Sequence, residues 1–474
     1  MNQLIWFRND LRLNDQSALW HATQAGTTLA LVIFSAEQWQ RHDDAPIKID
    51  FYLRQLAQLK DDLTALNIPL IVRTIPLWKD IPDELVKLVE HYKIENVYAN
   101  VEVGINELER DHQAQTALHA IQKDLKLYQD KTLFTLGSIR NKSDAPYQVY
   151  TPFKKNCYEL LNISLPQCFP QPEAQSDAPK IKADDSKLPS MTDLGYDEID
   201  KKTQALWPVG EKAAHKRLEA FIKDKINHYH ELRDYPAAEG TSCISPYLTI
   251  GLVSIRQCVQ AIFVKHQGQF LLENKGQEVW LNELLWREFY QQLMFDFPKL
   301  SRHQPFQDQT KTIPWKDNDA HFEAWTQGQT GIPIVDAAMR QLKATGWMHN
   351  RVRMICAMFL TKNLLIDWRK GEQWFMQHLI DGDFAANNGG WQWSASTGTD
   401  AAPYFRIFNP VSQSEKFDPD GKFLREWLPE LKHLDNTQIH EPYASKQISK
   451  LNYPKPIVDL KASRAEAIEV FKNN

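Results

Sequence analysis

Nowhere in its 474 residues does the chain run apolar for the ~20 residues that a membrane helix needs, and the N-terminus reads as a strand, not a signal peptide. Cysteine is scarce. The five present (Cys157, Cys168, Cys243, Cys258, Cys356) are odd in number and never in CxxC spacing. That argues against a disulfide framework or a zinc site and for reduced thiols in the cytoplasm. The histidines lack HxxxH or HExxH spacing, so no metal is expected. GxGxxG, GxSxG and Walker motifs are missing, which excludes a conventional NAD site, a serine-hydrolase elbow and a P-loop. A global positive charge is also missing, since the net charge is −5. A nucleic-acid partner is therefore not announced by composition.

What is present describes a globular chain too long for one ordinary core, with two domains expected. Apolar runs at Leu4–Phe7, Leu29–Phe34, Pro69–Val72 and Val97–Ala99 alternate with helix-period stretches at 48–66, 82–91 and 106–120. Strands alternating with helices imply a parallel, Rossmann-like α/β domain over 1–130. Residues 170–200 carry four prolines and no apolar period, within an interdomain linker set at 131–206. From Trp207 strand patterns vanish, and an all-α domain is expected over 207–474.

Several stretches carry polar chemistry. Residues 331–370 hold seven basic side chains (Arg340, Lys343, Arg351, Arg353, Lys362, Arg369, Lys370) against Asp336 and Asp367. This is a basic face for an anionic partner or a solvated helix face. Thr241-Ser242-Cys243-Ile244-Ser245 places hydroxyls before Pro246, so Ser245 reads as an N-cap. The run suits a phosphate at a helix start, or it merely caps. In the 278–295 helix, Glu283, Trp286, Arg287 and Tyr290 share one face, with Trp280 a turn earlier. Such a wall can stack and hydrogen-bond a flipped base and hold a phosphate, or be a half-buried surface pair. Asn350, Arg353 and Met354 share a further face. His349 reads as a satisfied structural histidine. Finally, IDGDFAANNGGWQWSASTGTDAAPYFRIFNP at Ile380–Pro410 crowds acids, amides and Trp around Gly389-Gly390. Either a flat ligand approaches the backbone there, or the glycines make a turn between core helices.

This segment, with GWMHNRVRM at Gly346–Met354 and WFRNDLRLND at Trp6–Asp15, closely resembles the DNA photolyase/cryptochrome family. The likeness runs to WLPEL at Trp427–Leu431 and is greatest to bacterial class I cyclobutane pyrimidine dimer photolyases. The resemblance implies an FAD cofactor held by Tyr229, Arg233, Thr241, Ser242, Cys243, Ile244, Ser245, Trp280, Arg353, Asp381, Asp383 and Asn387. It implies a dimer pocket of Glu283, Trp280, Trp286, Asn350 and Met354, with Arg287, Arg351, Trp393 and Arg406 on DNA. It further implies an electron-transfer triad ordered Trp315, Trp368, Trp391 from surface to flavin. Asn387 matches the residue facing flavin N5, where Asn is the photolyase choice, while plant cryptochromes carry Asp and animal ones Cys. A folate antenna, 5,10-methenyltetrahydrofolate, is implied at Glu107. The family's Cys-Lys pair for it reads Ser301-Arg302 here.

The expected function is light-driven repair of cyclobutane pyrimidine dimers in UV-damaged DNA by a cytoplasmic monomer that needs no protein partner or membrane. The alternative is a cryptochrome-type photoreceptor. A weaker third reading is a nucleotide-binding α/β protein with a helical interaction domain.

Overall fold

A computed structural model describes residues 1–444 and 451–473; 445–450 and Asn474, within the expected helical domain, lie outside it. Its N-terminal part is a wholly parallel sheet in the order β3-β2-β1-β4-β5. The strands are β1 (Asn2–Phe7), β2 (Thr27–Phe34), β3 (Leu70–Thr74), β4 (Ile94–Asn100) and β5 (Asp124–Tyr128). β2 is buried from Thr28 to Phe34, as expected of a strand covered on both faces by crossover helices. Four of these strands were legible as apolar runs. The fifth, Asp-Leu-Lys-Leu-Tyr, alternates and is short, and it owes its existence to pairing with β4. Beyond Trp207 no strand is found among the described residues.

Contacts divide the chain into two compact units. One comprises Met1–Ile226 and Ser242–Ser301, the other Asn227–Thr241 and Arg302–Asn474. This differs from a cut at 206, and the reason is the long helix Lys275–Asp296. Glu288, fully buried on it, accepts from the backbone N–H groups of Leu133 (2.8 Å) and Phe134 (3.3 Å). One turn on, Gln292 accepts from Gly137 N–H, and another turn on, Asp296 takes a bidentate pair from Arg140. Three polar residues at i, i+4 and i+8 thus fasten residues 133–140 along one helix. The helix Tyr150–Ile163 follows inside the stretch expected as a linker. Before that helix, over 131–149, and again from about 164 to 200 the chain is irregular apart from short turns, the second stretch anchored by Gln175 to Thr28 and Asn67 and by Asp185 to Arg73.

In the other unit, one core cluster gathers Trp325, Val352, Phe359, Trp368, Phe375 and Trp391. Lys362 is buried beside it in a π-helical turn, Phe359–Asn363. Its Nζ donates to the carbonyl of Ala395 (3.3 Å) and to Ser396 Oγ (2.9 Å) and lies 3.2 Å from the Phe471 ring centroid. Burial pulls its pKa down to about 6. A folded-state value below the unfolded one means stability is lost as pH falls from about 10.5 towards about 6. Lys362→Met is therefore expected to raise the melting temperature at pH 7. It should also flatten a slope of up to about 1.4 kcal/mol per pH unit above neutrality. Thermal unfolding of both proteins between pH 6.5 and 9.5 checks this; parallel profiles would refute it.

Candidate functional site

The long helix carries one set of chemical residues. Its buried side is Leu281, Leu284, Leu285, Glu288 and Phe289, which leaves Glu283, Trp286, Arg287 and Tyr290 half-buried together, as their spacing required. Trp280 is buried against Phe221, ring centroids 5.0 Å apart. Arg287 does not simply face solvent. Its Nη1 donates to the carbonyl of Lys131 at 2.8 Å, so part of its guanidinium is committed to the chain itself.

The hydroxyl run lies in irregular backbone, with Cys243 at φ 48°, a left-handed conformation that non-glycine residues adopt at a cost. Thr241, Ser242, Cys243 and Ser245 are half-buried and Ile244 is buried. The helix that follows is only Ser245–Thr249. Its N-cap position is Ile244, which has no side-chain oxygen to offer, so Ser245 is the first helical residue and not the cap. So short a helix has little dipole; hydroxyls and backbone N–H groups would have to hold an anion there. Ser254, by contrast, does cap its helix in a reciprocal box with Gln257.

In the second unit, Tyr229 is buried and Arg233 half-buried, its guanidinium 5.6 Å from the Tyr229 ring centroid. Arg353 and Asp381 form a direct ion pair, one guanidinium nitrogen reaching both carboxylate oxygens at 3.0 and 2.8 Å. Asp383 caps the helix Phe384–Ala395 by accepting from Ala386 N–H. Within that helix, Asn387 donates its amide N–H to the carbonyl of Glu372 at 2.9 Å, and Asn388 donates to the Glu372 carboxylate at 2.7 Å. Gly389-Gly390 is no turn; both glycines sit inside the helix, and a methyl at 390 would meet open space. Gly371 permits a close approach within the chain. A methyl there would stand 2.1 Å from the Trp391 ring.

Trp391 and Trp368 are buried in the same cluster, and half-buried Trp315 packs against it. The structure therefore places all three in one region, graded from partial exposure to burial. Trp393 is half-buried and Asn350, at the first turn of Asn350–Met358, is exposed, with Met354 half-buried one turn on. His349 caps that helix through Nδ1, which accepts from Arg351 N–H. Its Nε2 is buried without a partner among the described residues, so the histidine is satisfied at one nitrogen only. Burial draws its pKa down to about 4, keeping the ring neutral.

The basic island is mostly neutralised, largely by acids outside it. Arg340 pairs with Glu430, Arg351 with Asp234, Arg353 with Asp381 and Lys370 with Asp317, while Arg369 pairs with Asp367 inside the island. Arg351 also lies 4.3 Å from the Phe417 ring centroid, and Arg406 is exposed. Glu107 is half-buried in the first turn of Ile105–Ala120, and burial with the nearby charge of Glu102 raises it to about 7. Ser301 Oγ lies 3.0 Å from Met294 Sδ.

Unanticipated was a small crevice beyond the carboxyl ends of β1 and β4, where the strand order reverses. That is the usual ligand position of open α/β sheets. Here its lining includes Arg8, Asp10, Arg12, Glu102 and Asp130, whose charges largely pair within the chain, as in Arg8–Asp111 and Arg12–Asp130. Only the alternation of charges in Arg8–Asp15 hinted at it.

The model described as DNA photolyase matches residues 3–173, and the FAD binding domain of DNA photolyase matches 280–473. The deoxyribodipyrimidine photo-lyase of Escherichia coli is 43% identical over 481 residues, covering 99% of this chain and 98% of that protein. The chain belongs to the photolyase/cryptochrome family. Photolyase-family structures share its whole fold. A bacterial class III photolyase from Agrobacterium tumefaciens has a TM-score of 0.86 at 33% identity, covering 100% of this chain and 97% of that one. A Synechocystis cryptochrome has a TM-score of 0.87 at 30% identity, covering 99% of each. The cofactor of the family's helical domain is FAD. This chain's donor set suits it: half-buried hydroxyls beside a left-handed Cys243, a tethered neutral amide at Asn387 and an unpartnered imidazole N–H at His349.

Proposed function

We propose that the protein is a deoxyribodipyrimidine photo-lyase that repairs cyclobutane pyrimidine dimers in UV-damaged DNA under light. The observation that carries this reading is 43% identity, over almost the entire chain, to a relative of that name. When bound, FAD would supply the photochemical electron-donor chemistry that the ring opening needs.

The chain's own residues bind, orient and insulate. Thr241, Ser242 and Ser245, with the backbone of Cys243 and Ile244 and the side chains of Tyr229 and Arg233, hold the pyrophosphate. Arg353, Asp381 and Asp383 would bind the cofactor through polar contacts, and Trp280 would be an apolar contact to it. Because Asn387 gives its N–H to Glu372, its Oδ1 is left to face the cofactor as a neutral acceptor. An amide neither holds charge nor readily gives up a proton, which suits a reduced ring. Trp315, Trp368 and Trp391 relay electrons inward from solvent. Glu283 and Asn350 hydrogen-bond the damaged bases against Trp286 and Met354. Trp393 and Arg406 meet the DNA, joined by whatever of Arg287 and Arg351 their internal bonds leave free. Glu107 would hold a folate antenna, with Ser301-Arg302 in place of the family's Cys-Lys. The protein acts as a cytoplasmic monomer.

Blue-light repair of a duplex carrying one thymine dimer, using reduced protein and a dark control, tests the reading. Light-dependent recovery of intact thymines is expected, with Glu283→Ala and Asn350→Ala impaired. Flavin that binds and photoreduces while the dimer persists would instead make the protein a photoreceptor of the cryptochrome type.

A further inference from the structure

The first turn of the helix Tyr150–Ile163 grips one particular turn of the long helix. The Tyr150 ring lies face to face on Trp286, with centroids 3.6 Å apart and planes 10° from parallel. Its hydroxyl donates to the carbonyl of Asn282 at 2.7 Å. In an α-helix that carbonyl also accepts from the N–H of residue 286, so Tyr150 fixes both the backbone and the ring of Trp286. Two turns further, Tyr158 donates to Asn282 Oδ1 at 2.8 Å. Phe153 packs on Phe289, centroids 5.0 Å apart, beneath the same turn. Trp286 meets Phe289 edge-on and lies against Tyr290, 5.7 Å away, so aromatic neighbours limit both torsions of its side chain. Tyr150 itself is 6% exposed and is thereby kept from direct contact with a large ligand.

We propose that Tyr150 is a positioning residue for lesion recognition. Stacked on Trp286 and bonded to Asn282, it holds the indole in the orientation that receives the damaged bases before DNA arrives. The inference rests on Trp286 forming part of the dimer-binding wall. Preorganisation of this kind acts on affinity for the lesion, since the cost of ordering the ring is met on folding and not on binding. The chemistry of a dimer once bound should be untouched.

The test compares Tyr150→Leu, Tyr150→Phe, Trp286→Ala and the double variant Tyr150→Leu/Trp286→Ala as FAD-loaded proteins. Two quantities are read: the affinity ratio between a duplex with one thymine dimer and the same duplex undamaged, and the single-turnover repair yield of the saturated complex. Tyr150→Leu should lower the ratio about tenfold, in line with a lost aromatic pair, and leave the saturated yield unchanged. Tyr150→Phe keeps the stack and should stay within about twofold of the parent. In the Trp286→Ala background, Tyr150→Leu should add nothing, because its effect passes through the indole. Equal losses in both backgrounds, or an unchanged ratio in Tyr150→Leu with FAD content intact, would overturn the proposal. Should Trp286→Ala itself leave the ratio unchanged, the dimer-wall reading fails and the proposal falls with it.

Discussion

Trp391→Phe is expected to abolish light-driven reduction of the bound flavin while leaving FAD bound and the fold intact. Trp391 is buried at 2% exposure between Phe375 and Trp325, with ring centroids 5.0 and 6.0 Å away in edge-to-face contacts. Phenylalanine preserves most of that packing, so the protein should still fold. It does not preserve the readily oxidised indole that the proposed relay requires. Protein irradiated with blue light and an external reductant should therefore keep the spectrum of oxidised flavin, whereas the parent bleaches. Chemically reduced Trp391→Phe should still repair dimers, which separates the relay from repair. Gly371→Ala probes the same point through shape alone, since its methyl would overlap the Trp391 ring and must displace it. Photoreduction of Trp391→Phe at the parent rate would remove this residue from the relay.

The second large effect is one of stability. Asp130 is buried between two guanidinium groups: Arg12 reaches Oδ2 and Arg256 reaches Oδ1, each at 2.7 Å, while Ser17 donates to Oδ1 at 2.9 Å. Arg256 also pairs with Asp15, so the network ties the loop after β1 to the helix Ile255–Phe263. Asp130→Ala leaves two buried cations short of a counter-ion. Losing one partner of such a network costs about 3–5 kcal/mol, a large share of a total stability of roughly 5–15 kcal/mol. Burial alone would raise the Asp130 carboxyl, but Arg12 and Arg256 outweigh it and hold it below the ordinary carboxylate range. A lowered folded-state value contributes stability that is present above the unfolded value of about 4 and is lost as pH falls. Urea unfolding should thus separate parent and variant widely at pH 7, with the gap closing below pH 4. A variant as stable as the parent at pH 7 would show the network to be dispensable.

Where the sequence misled, the cause was pairing between distant residues. Residues 331–370 read as a basic face because their counter-ions Asp234, Glu430 and Asp317 lie elsewhere in the chain. Nothing in the local sequence sets Glu288, Gln292 and Asp296 apart. In the fold they hold residues 133–140, which is why those residues and the following helix join the sheet's unit instead of forming a linker. Gly371 went unnoticed, because only packing brings the Trp391 ring against that helix.

By itself the sequence determined what local periodicity and motif can carry. Runs of apolar residues covered on both faces gave the parallel strands, and helix-period patterns gave the all-α second half. Residue types in long motifs gave the family, because Asn387, Glu283 and the Trp positions are read one by one. Only the tertiary structure decided which of these residues are free to act. It tethered Asn387 to Glu372, committed Arg351 to Asp234 and part of Arg287 to Lys131, and set Tyr150 on Trp286. Such contacts join residues as much as 156 positions apart, and their energy depends on distance and burial in space, which no local pattern of the chain records.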